Sequence, residues 1–230
     1  HGVANAVVQR GRGRDLRIVD ATCPLVSKVH RQAQRYRSGG SEIIIIGHGG
    51  HPEVKGTRGR VHGPVHVIST PEEVDTLQVQ DPQALAYVTQ TTLSVDDTRE
   101  VVAASWVNAN RPQVDDICYA TQNRQRAIRE LATQVEVLLI VGARNSSNSN
   151  RLREVGEQVA LRSYPVENED ELNPAWFSTC ARVGVTAGAS APEFLVQRVL
   201  DRLRAFGADS VTELDGVKES KRFRLPWMLG

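Results

Sequence analysis

The sequence predicts an α/β fold of repeated units, each a small parallel sheet covered by helices. Three observations carry this expectation. The chain has 230 residues, 40% hydrophobic and 24% charged, enough for one large domain or two compact ones. Short apolar runs, Ile43 to Ile46 and Val137 to Val141, alternate with amphipathic stretches rich in arginine. Above all, the chain repeats itself. From Val19 it reads V-D-A-T-C-P-L-V-S-K-V-H, then a helical stretch, then I-I-I-I-G-H-G-G-H-P-E. From Val114 it reads V-D-D-I-C-Y-A-T-Q-N-R-Q, a second helical stretch, then V-L-L-I-V-G-A-R-N-S-S-N. Cys23 to Gly47 spans 24 residues and so does Cys118 to Gly142, while His51 and Ser146 each follow their cysteine by 28.

Taken in order, H-G-V-A-N-A-V-V-Q-R and R-I-V-D-A-T-C read as the turn, helix and strand that close an earlier unit, residues 1–22. A second unit is expected over 23–115 and a third over 116–206, followed by a tail at 207–230. In each full unit the cysteine follows a strand and opens a helix. The apolar run is then a buried strand, and a later strand ends in a threonine turn, Y-V-T-Q-T-T-L-S at 87–94 and G-V-T-A-G-A-S at 184–190. Helices are predicted after these turns, over Val95 to Asn108 and Ala191 to Phe206. In such a fold, functional residues belong at the carboxyl ends of strands, where helices begin. Units arranged about a pseudo-axis would turn these ends toward one cavity.

Composition removes several function classes. With 28 basic and 27 acidic residues the formal charge is +1, which gives no electrostatic case for nucleic acid or an anionic membrane. The apolar runs are too short to cross a bilayer, and no signal peptide opens the chain. Three cysteines without a CxxC pair argue against a disulfide framework and for a reducing, cytoplasmic setting. Only Lys28, Lys55, Lys218 and Lys221 are lysines, a bias that base composition accounts for. The single methionine is Met228 and the chain opens on His1, so an internal piece of a longer protein is expected.

The polar clusters carry the chemistry. Cys23 and Cys118 are either two small buried hydrophobes or thiolates from equivalent units that hold a cluster. Asp20 and Asp115 or Asp116, just before them, are candidate helix caps. Cys180 has no counterpart in the repeat and reads as structural. G-H-G-G-H-P-E places His48, His51 and Glu53 within six residues. This is a capped polar loop, a zinc site of His48, His51 and a cysteine, or a site in which burial makes Glu53 a proton donor. The run N-S-S-N-S-N-R-L presents hydroxyl, amide and backbone N–H donors at a helix start, an arrangement suited to phosphate or diphosphate. T-Q-T-T-L-S and T-A-G-A-S-A-P-E add two more such helix starts, with Pro192 expected in the first helical turn.

D-A-T-C-P-L-V-S-K-V-H, I-G-H-G-G-H-P-E-V-K-G-T, T-Q-T-T-L-S-V-D-D-T, D-D-I-C-Y-A-T-Q-N-R-Q, N-S-S-N-S-N-R-L and G-V-T-A-G-A-S-A-P-E together resemble the 4-hydroxy-3-methylbut-2-enyl diphosphate reductase family. They occur in that family's order, and L-D-G-V-K-E-S-K-R-F-R-L-P is similar to its returning C-terminal strand. The resemblance implies a pseudo-threefold cloverleaf of α/β units about a central [4Fe-4S] cluster, with the first unit mostly missing here. It implies that Cys23 and Cys118 are two of three cysteine ligands. It makes His1, His51, Thr91, Thr92, Ser146, Ser147, Asn148 and Ser190 substrate-binding and Glu53 the proton donor. The implied reaction removes the hydroxyl of an allylic diphosphate as water, giving isopentenyl and dimethylallyl diphosphate in the non-mevalonate pathway. Its electrons come from a ferredoxin or flavodoxin. Lacking the family's G-F-C-A-G turn, the chain alone is expected to hold no complete cluster and to have little activity. Two further readings stand beside this one. The first is a diphosphate-binding module without redox chemistry, and the second is a zinc hydrolase using Cys23, His48 and His51.

Overall fold

Two five-residue runs, Glu42–Ile46 (β1) and Val137–Val141 (β4), are buried at every position. A strand apolar on both faces needs cover on both, so it takes the centre of a parallel sheet. In the computed structural model, which describes residues 1–104 and 116–224, both runs do so. β1 lies between Val65–Ile68 (β2) and Leu85–Thr89 (β3), with Ile44 opposite His66 on one side and Tyr87 on the other. β4 lies between Arg162–Val166 (β5) and Val183–Ala187 (β6), with Leu139 opposite Tyr164 and Val185. Every pairing is parallel, and the orders β2-β1-β3 and β5-β4-β6 are one topology used twice. The α/β class and the small parallel sheets are those the sequence predicts.

Seven helices are described: Asn5–Arg12 (α1), Pro24–Ser38 (α2), Pro52–Arg58 (α3), Val95–Ala104 (α4), Tyr119–Leu131 (α5), Ser147–Gln158 (α6) and Glu193–Ala205 (α7). The chain divides into two compact units, His1–Cys118 with the residues from Ser220 onward, and Tyr119–Glu219. In the first unit Ile43 and Ile45 pack with Val29 and Ala33 of α2 and with Val54, while Ile44 and Ile46 face Val74, Leu93 and Val101. In the second, Val137, Leu139 and Val141 meet Val199 and Leu203 of α7, and Leu138 and Ile140 meet Ile128, Leu152 and Val155. The alternation is the period-2 geometry of a strand covered on both faces. Glu42, a carboxylate inside a core strand, is satisfied by His66 Nε2 at 2.8 Å and the Gln80 N–H at 2.7 Å.

Several expectations need correction. No strand precedes Cys23, while the strand expected before Cys118 falls mainly on residues outside those described. A strand exists through its neighbour, and among the described residues each three-stranded sheet is built without the segment before Cys23. For the same reason the tail from 208 to 224, expected to return as a strand, has neither helix nor strand. The helix expected over Val95 to Asn108 begins at Val95 and is described to Ala104, its predicted end lying outside the described residues. That expected over Ala191 to Phe206 runs from Glu193 to Ala205. The Ala191 N–H closes a turn on Gly188 O at 2.9 Å, which delays the helix and leaves Pro192 as its extended N-cap rather than in its first turn. No described helix is long and apolar enough to cross a membrane.

His30 of α2 is 3% exposed, and burial, aided by the nearby Arg60 charge, pushes its pKa down to about 4. The unfolded chain binds the proton near the ordinary value of 6.5, so between these two values it binds more protons than the folded one. Stability is therefore expected to fall as pH drops from 6.5 to 4, and His30→Leu to flatten that part of a urea-denaturation profile.

Candidate active site

α3 starts where β1 ends. His51 is its N-cap, Pro52 occupies the first helical position, and the His51 Nδ1 accepts the Glu53 N–H at 3.3 Å. The cap places Glu53 in the first turn, 2% exposed. Two residues past β3, Thr91 donates its N–H to Glu53 Oε1 at 2.6 Å and its hydroxyl to Oε2 at 2.9 Å. Burial holds the Glu53 carboxyl above the usual carboxylate range; the two Thr91 bonds pull the other way, and the buried Asp116 charge adds to the rise. A backbone N–H can only donate, so Oε1 stays an acceptor. The Thr91 hydroxyl can also accept, so the proton of the neutral acid belongs on Oε2.

His1 and His51 meet edge to face, ring centroids 5.0 Å apart at 86°. One ligand atom each of His1, His51 and Glu53 lie within 4.8 Å of one another. Burial lowers the His51 pKa and His48 adds to this, so the ring is neutral. Because Nδ1 accepts, the ring proton sits on Nε2, which makes His51 a hydrogen-bond donor there. Thr92 faces a different partner from Thr91. Gln90, 1% exposed, donates Nε2 to the Thr92 hydroxyl at 2.8 Å and accepts the His48 N–H on Oε1 at 3.1 Å. Sequence reading missed Gln90, whose only signal was an amide side chain inside a threonine turn.

Cys23 is the exposed N-cap residue of α2, and Cys118, half-buried, immediately precedes α5. The Cys118 N–H donates to Thr91 O at 2.9 Å, so one threonine anchors both the acid and a cysteine turn. Asp20 does not cap α2. Asp20 accepts the Thr22 N–H at 3.0 Å, closing a local turn. Asp116 pairs with Lys28 at 3.0 Å and accepts the Thr89 N–H at 3.4 Å, while Asp115 lies outside the described residues. Cys180 is engaged elsewhere: its thiol donates to Arg182 O at 3.1 Å, and burial with the Glu136 carboxylate beside it pushes the thiol up. Among the described residues the sole candidate metal trio is His1, His51 and Glu53. The zinc trio of Cys23, His48 and His51 does not assemble, because His51 faces His1 and Glu53 instead.

In the second unit Ser146 is the N-cap of α6, its Oγ accepting the Ser149 N–H at 3.3 Å. Ser147 follows, half-buried. Asn148 is 6% exposed; its Oδ1 accepts from the Thr121 hydroxyl at 3.3 Å, while its buried Nδ2 has no partner among the described residues. Ser149 Oγ lies where a Cβ on either Gly142 or Gly188, just past β4 and β6, would sit, so a side chain at either position would force Ser149 to move. Ser190, two residues past Gly188, is exposed.

Gly188→Ala is expected to cost about 1–3 kcal/mol in urea unfolding, with much of the loss recovered when Ser149→Ala is added. A second expectation concerns charge. Glu53 binds its proton more tightly when folded, so its contribution to stability is full at low pH and is lost as pH rises through its raised pKa. Glu53→Gln should therefore be more stable than the unaltered chain at pH 8, with the advantage gone below the ordinary value of 4.5. Urea midpoints measured across pH check it.

Comparison with known proteins identifies the family. A sequence profile described as "LytB protein" matches residues 1–204. The 4-hydroxy-3-methylbut-2-enyl diphosphate reductase of Zymomonas mobilis is 52% identical over 229 residues, covering 98% of this chain and 67% of that protein. That of Aromatoleum aromaticum is 53% identical over 231 residues, covering 98% and 73%. The solved structure of the E-1-hydroxy-2-methyl-but-2-enyl-4-diphosphate reductase from Plasmodium falciparum superposes with a TM-score of 0.91 at 28% identity, covering 98% of this chain and 73% of that one. By profile, by identity and by fold, the chain belongs to the LytB protein family.

Proposed function

We propose that the protein reductively dehydroxylates (E)-4-hydroxy-3-methylbut-2-enyl diphosphate, as the names of its relatives state for them. In the balanced reaction the allylic C–O bond breaks and two electrons and two protons enter. The hydroxyl leaves as water, and isopentenyl or dimethylallyl diphosphate remains. The observation that carries this reading is Glu53, a buried, proton-retaining carboxyl fixed on Thr91 beside two histidines. A leaving hydroxyl needs a proton at the moment the bond breaks, and a carboxyl whose pKa is raised by burial is suited to supply it. Oε2 is the atom that holds that proton.

The diphosphate end asks for donors. Nε2–H of His51, the Ser146 cap, Asn148 Nδ2 and the hydroxyls of Ser147 and Ser190 supply them, His1 adding a ring nitrogen, and Thr91 and Thr92 lie near the substrate hydroxyl. Holding the non-reacting phosphates spends remote binding energy on orienting the C–O bond. The exposed N-cap thiol of Cys23 and the Cys118 thiol fit two ligand positions of an iron–sulfur cluster, whereas Cys180 is committed to Glu136 and Arg182. When bound, such a cluster supplies a Lewis-acidic, redox-active iron. A cytoplasmic ferredoxin or flavodoxin, each a one-electron donor, fits the two-electron stoichiometry.

Anaerobic reconstitution with iron and sulfide, followed by metal and sulfide analysis and calorimetry with the allylic diphosphate, tests the reading. Iron retention is expected to depend on Cys23 and Cys118 and not on Cys180. With two such thiols the separate chain is expected to hold an incomplete cluster and turn over little; a stable four-iron cluster with turnover overturns that part. His51→Ala and Ser146→Ala should each weaken diphosphate binding by about tenfold or more. Binding unchanged in both, or zinc without sulfide, overturns the function.

A further inference from the structure

We propose that Lys28 and Asp116 are a positioning pair that sets the Cys23 turn relative to the Cys118 turn; the inference rests on reading these thiols as cluster ligands. Lys28 Nζ lies 3.0 Å from Asp116 Oδ1, between residues 88 apart in the chain. The Asp116 side chain is wholly buried and that of Lys28 about one-third exposed (32%). Each is a short, stiff step from a cysteine. Lys28 lies in the first turns of α2, whose N-cap is Cys23 and whose ladder already includes the Ser27 N–H on Cys23 O at 2.9 Å. Asp116 stands two residues before Cys118. Its Oδ2 accepts the Thr89 N–H, and the Cys118 N–H donates to Thr91 O, so the Asp116–Cys118 segment is stapled to the end of β3 at two alternate residues.

The remaining carboxylate oxygen reaches α2, and this joins the two cysteine-bearing segments. An ion pair suits the task better than an apolar contact. Apolar side chains tolerate sliding, whereas a buried carboxylate left without its cation is costly, so one separation is strongly preferred. Lys28 thus acts through Cys23 and Asp116 through Cys118, and neither need touch substrate.

Hydrogen exchange read by mass spectrometry on the metal-free 230-residue chain tests the pair, using the unaltered protein, Lys28→Met/Asp116→Asn and Lys28→Arg. The double variant removes both charges without leaving a lone buried ion, and its Asn keeps an acceptor for the Thr89 N–H. Exchange in the segments 23–28 and 116–118 is expected to rise by about tenfold or more while β1 and β3 keep their protection, and Lys28→Arg should restore most of it. Reconstituted iron content should fall in the double variant and not in Lys28→Arg. A change of less than about twofold in both segments overturns the proposal, as does equal loss over β1 and β3. Absence of a cooperative urea transition in the double variant also overturns it, because the pair would then be holding the fold rather than the turns. Failure of the unaltered chain to retain any iron would instead sink the reading of the thiols, with exchange still deciding the pair.

Discussion

Thr91 commits all three of its polar groups within one turn of chain. Its N–H and hydroxyl hold the two oxygens of Glu53, and its carbonyl holds the Cys118 N–H. A carboxyl that is 2% exposed requires partners, and a threonine backbone at the end of a buried strand is a rigid source of them. The parallel sheet makes this possible. With β1 and β3 in register from Glu42 and Leu85 to Ile46 and Thr89, their carboxyl ends finish level, and the turns that follow lie side by side. The acid, the histidine cap and a cysteine turn are then positioned by backbone rather than by flexible side chains.

The second sheet repeats the frame with a different filling. His51 and Ser146 both follow their cysteine by 28 residues, and both prove to be helix N-caps, accepting from N–H groups of their own first turns. What differs is the side chain that the cap position can carry. An imidazole capping through Nδ1 still has Nε2–H to offer, whereas a serine cap leaves its helix start open and short. Around it, Gly142 and Gly188 make room for Ser149, so α6 approaches the sheet closely and Asn148 is buried. One topology therefore yields an acid-bearing turn in one unit and an amide-and-hydroxyl turn in the other.

The parts of this arrangement visible in the sequence are those with a local signature. The all-apolar runs gave the central strands to within one residue, and the fixed 24- and 28-residue spacings identified the equivalent turns. His51, Glu53 and Thr91 were legible because each sits in a motif with a glycine or proline that marks a strand-to-helix turn. The Asp116 pairing with Lys28 was not, and Asp116 read as a cap, because a contact between residues 88 apart leaves no trace in spacing. Gln90 was missed because its tie to the His48 N–H joins residues 42 apart, which spacing does not register. The strand expected before Cys23 also failed, since β-character in isolation says nothing about whether an edge is present to pair with.

Electrostatics explains why the proposed substrate donors are mostly neutral. A lysine or arginine placed against a diphosphate would add Coulombic affinity, yet the same cation near Glu53 would favour its ionised form and strip the proton that the reaction needs. Hydroxyls, a carboxamide, helix N–H groups and a neutral imidazole attract an anion through dipoles that fall off faster with distance than a full charge does. Burial can then hold the Glu53 carboxyl above the usual carboxylate range. Lys28 is neutralised by Asp116, whose own negative charge pushes Glu53 further toward its protonated form. Affinity for phosphate and retention of a proton are opposing demands on one electric field, and neutral donors satisfy the first without sacrificing the second.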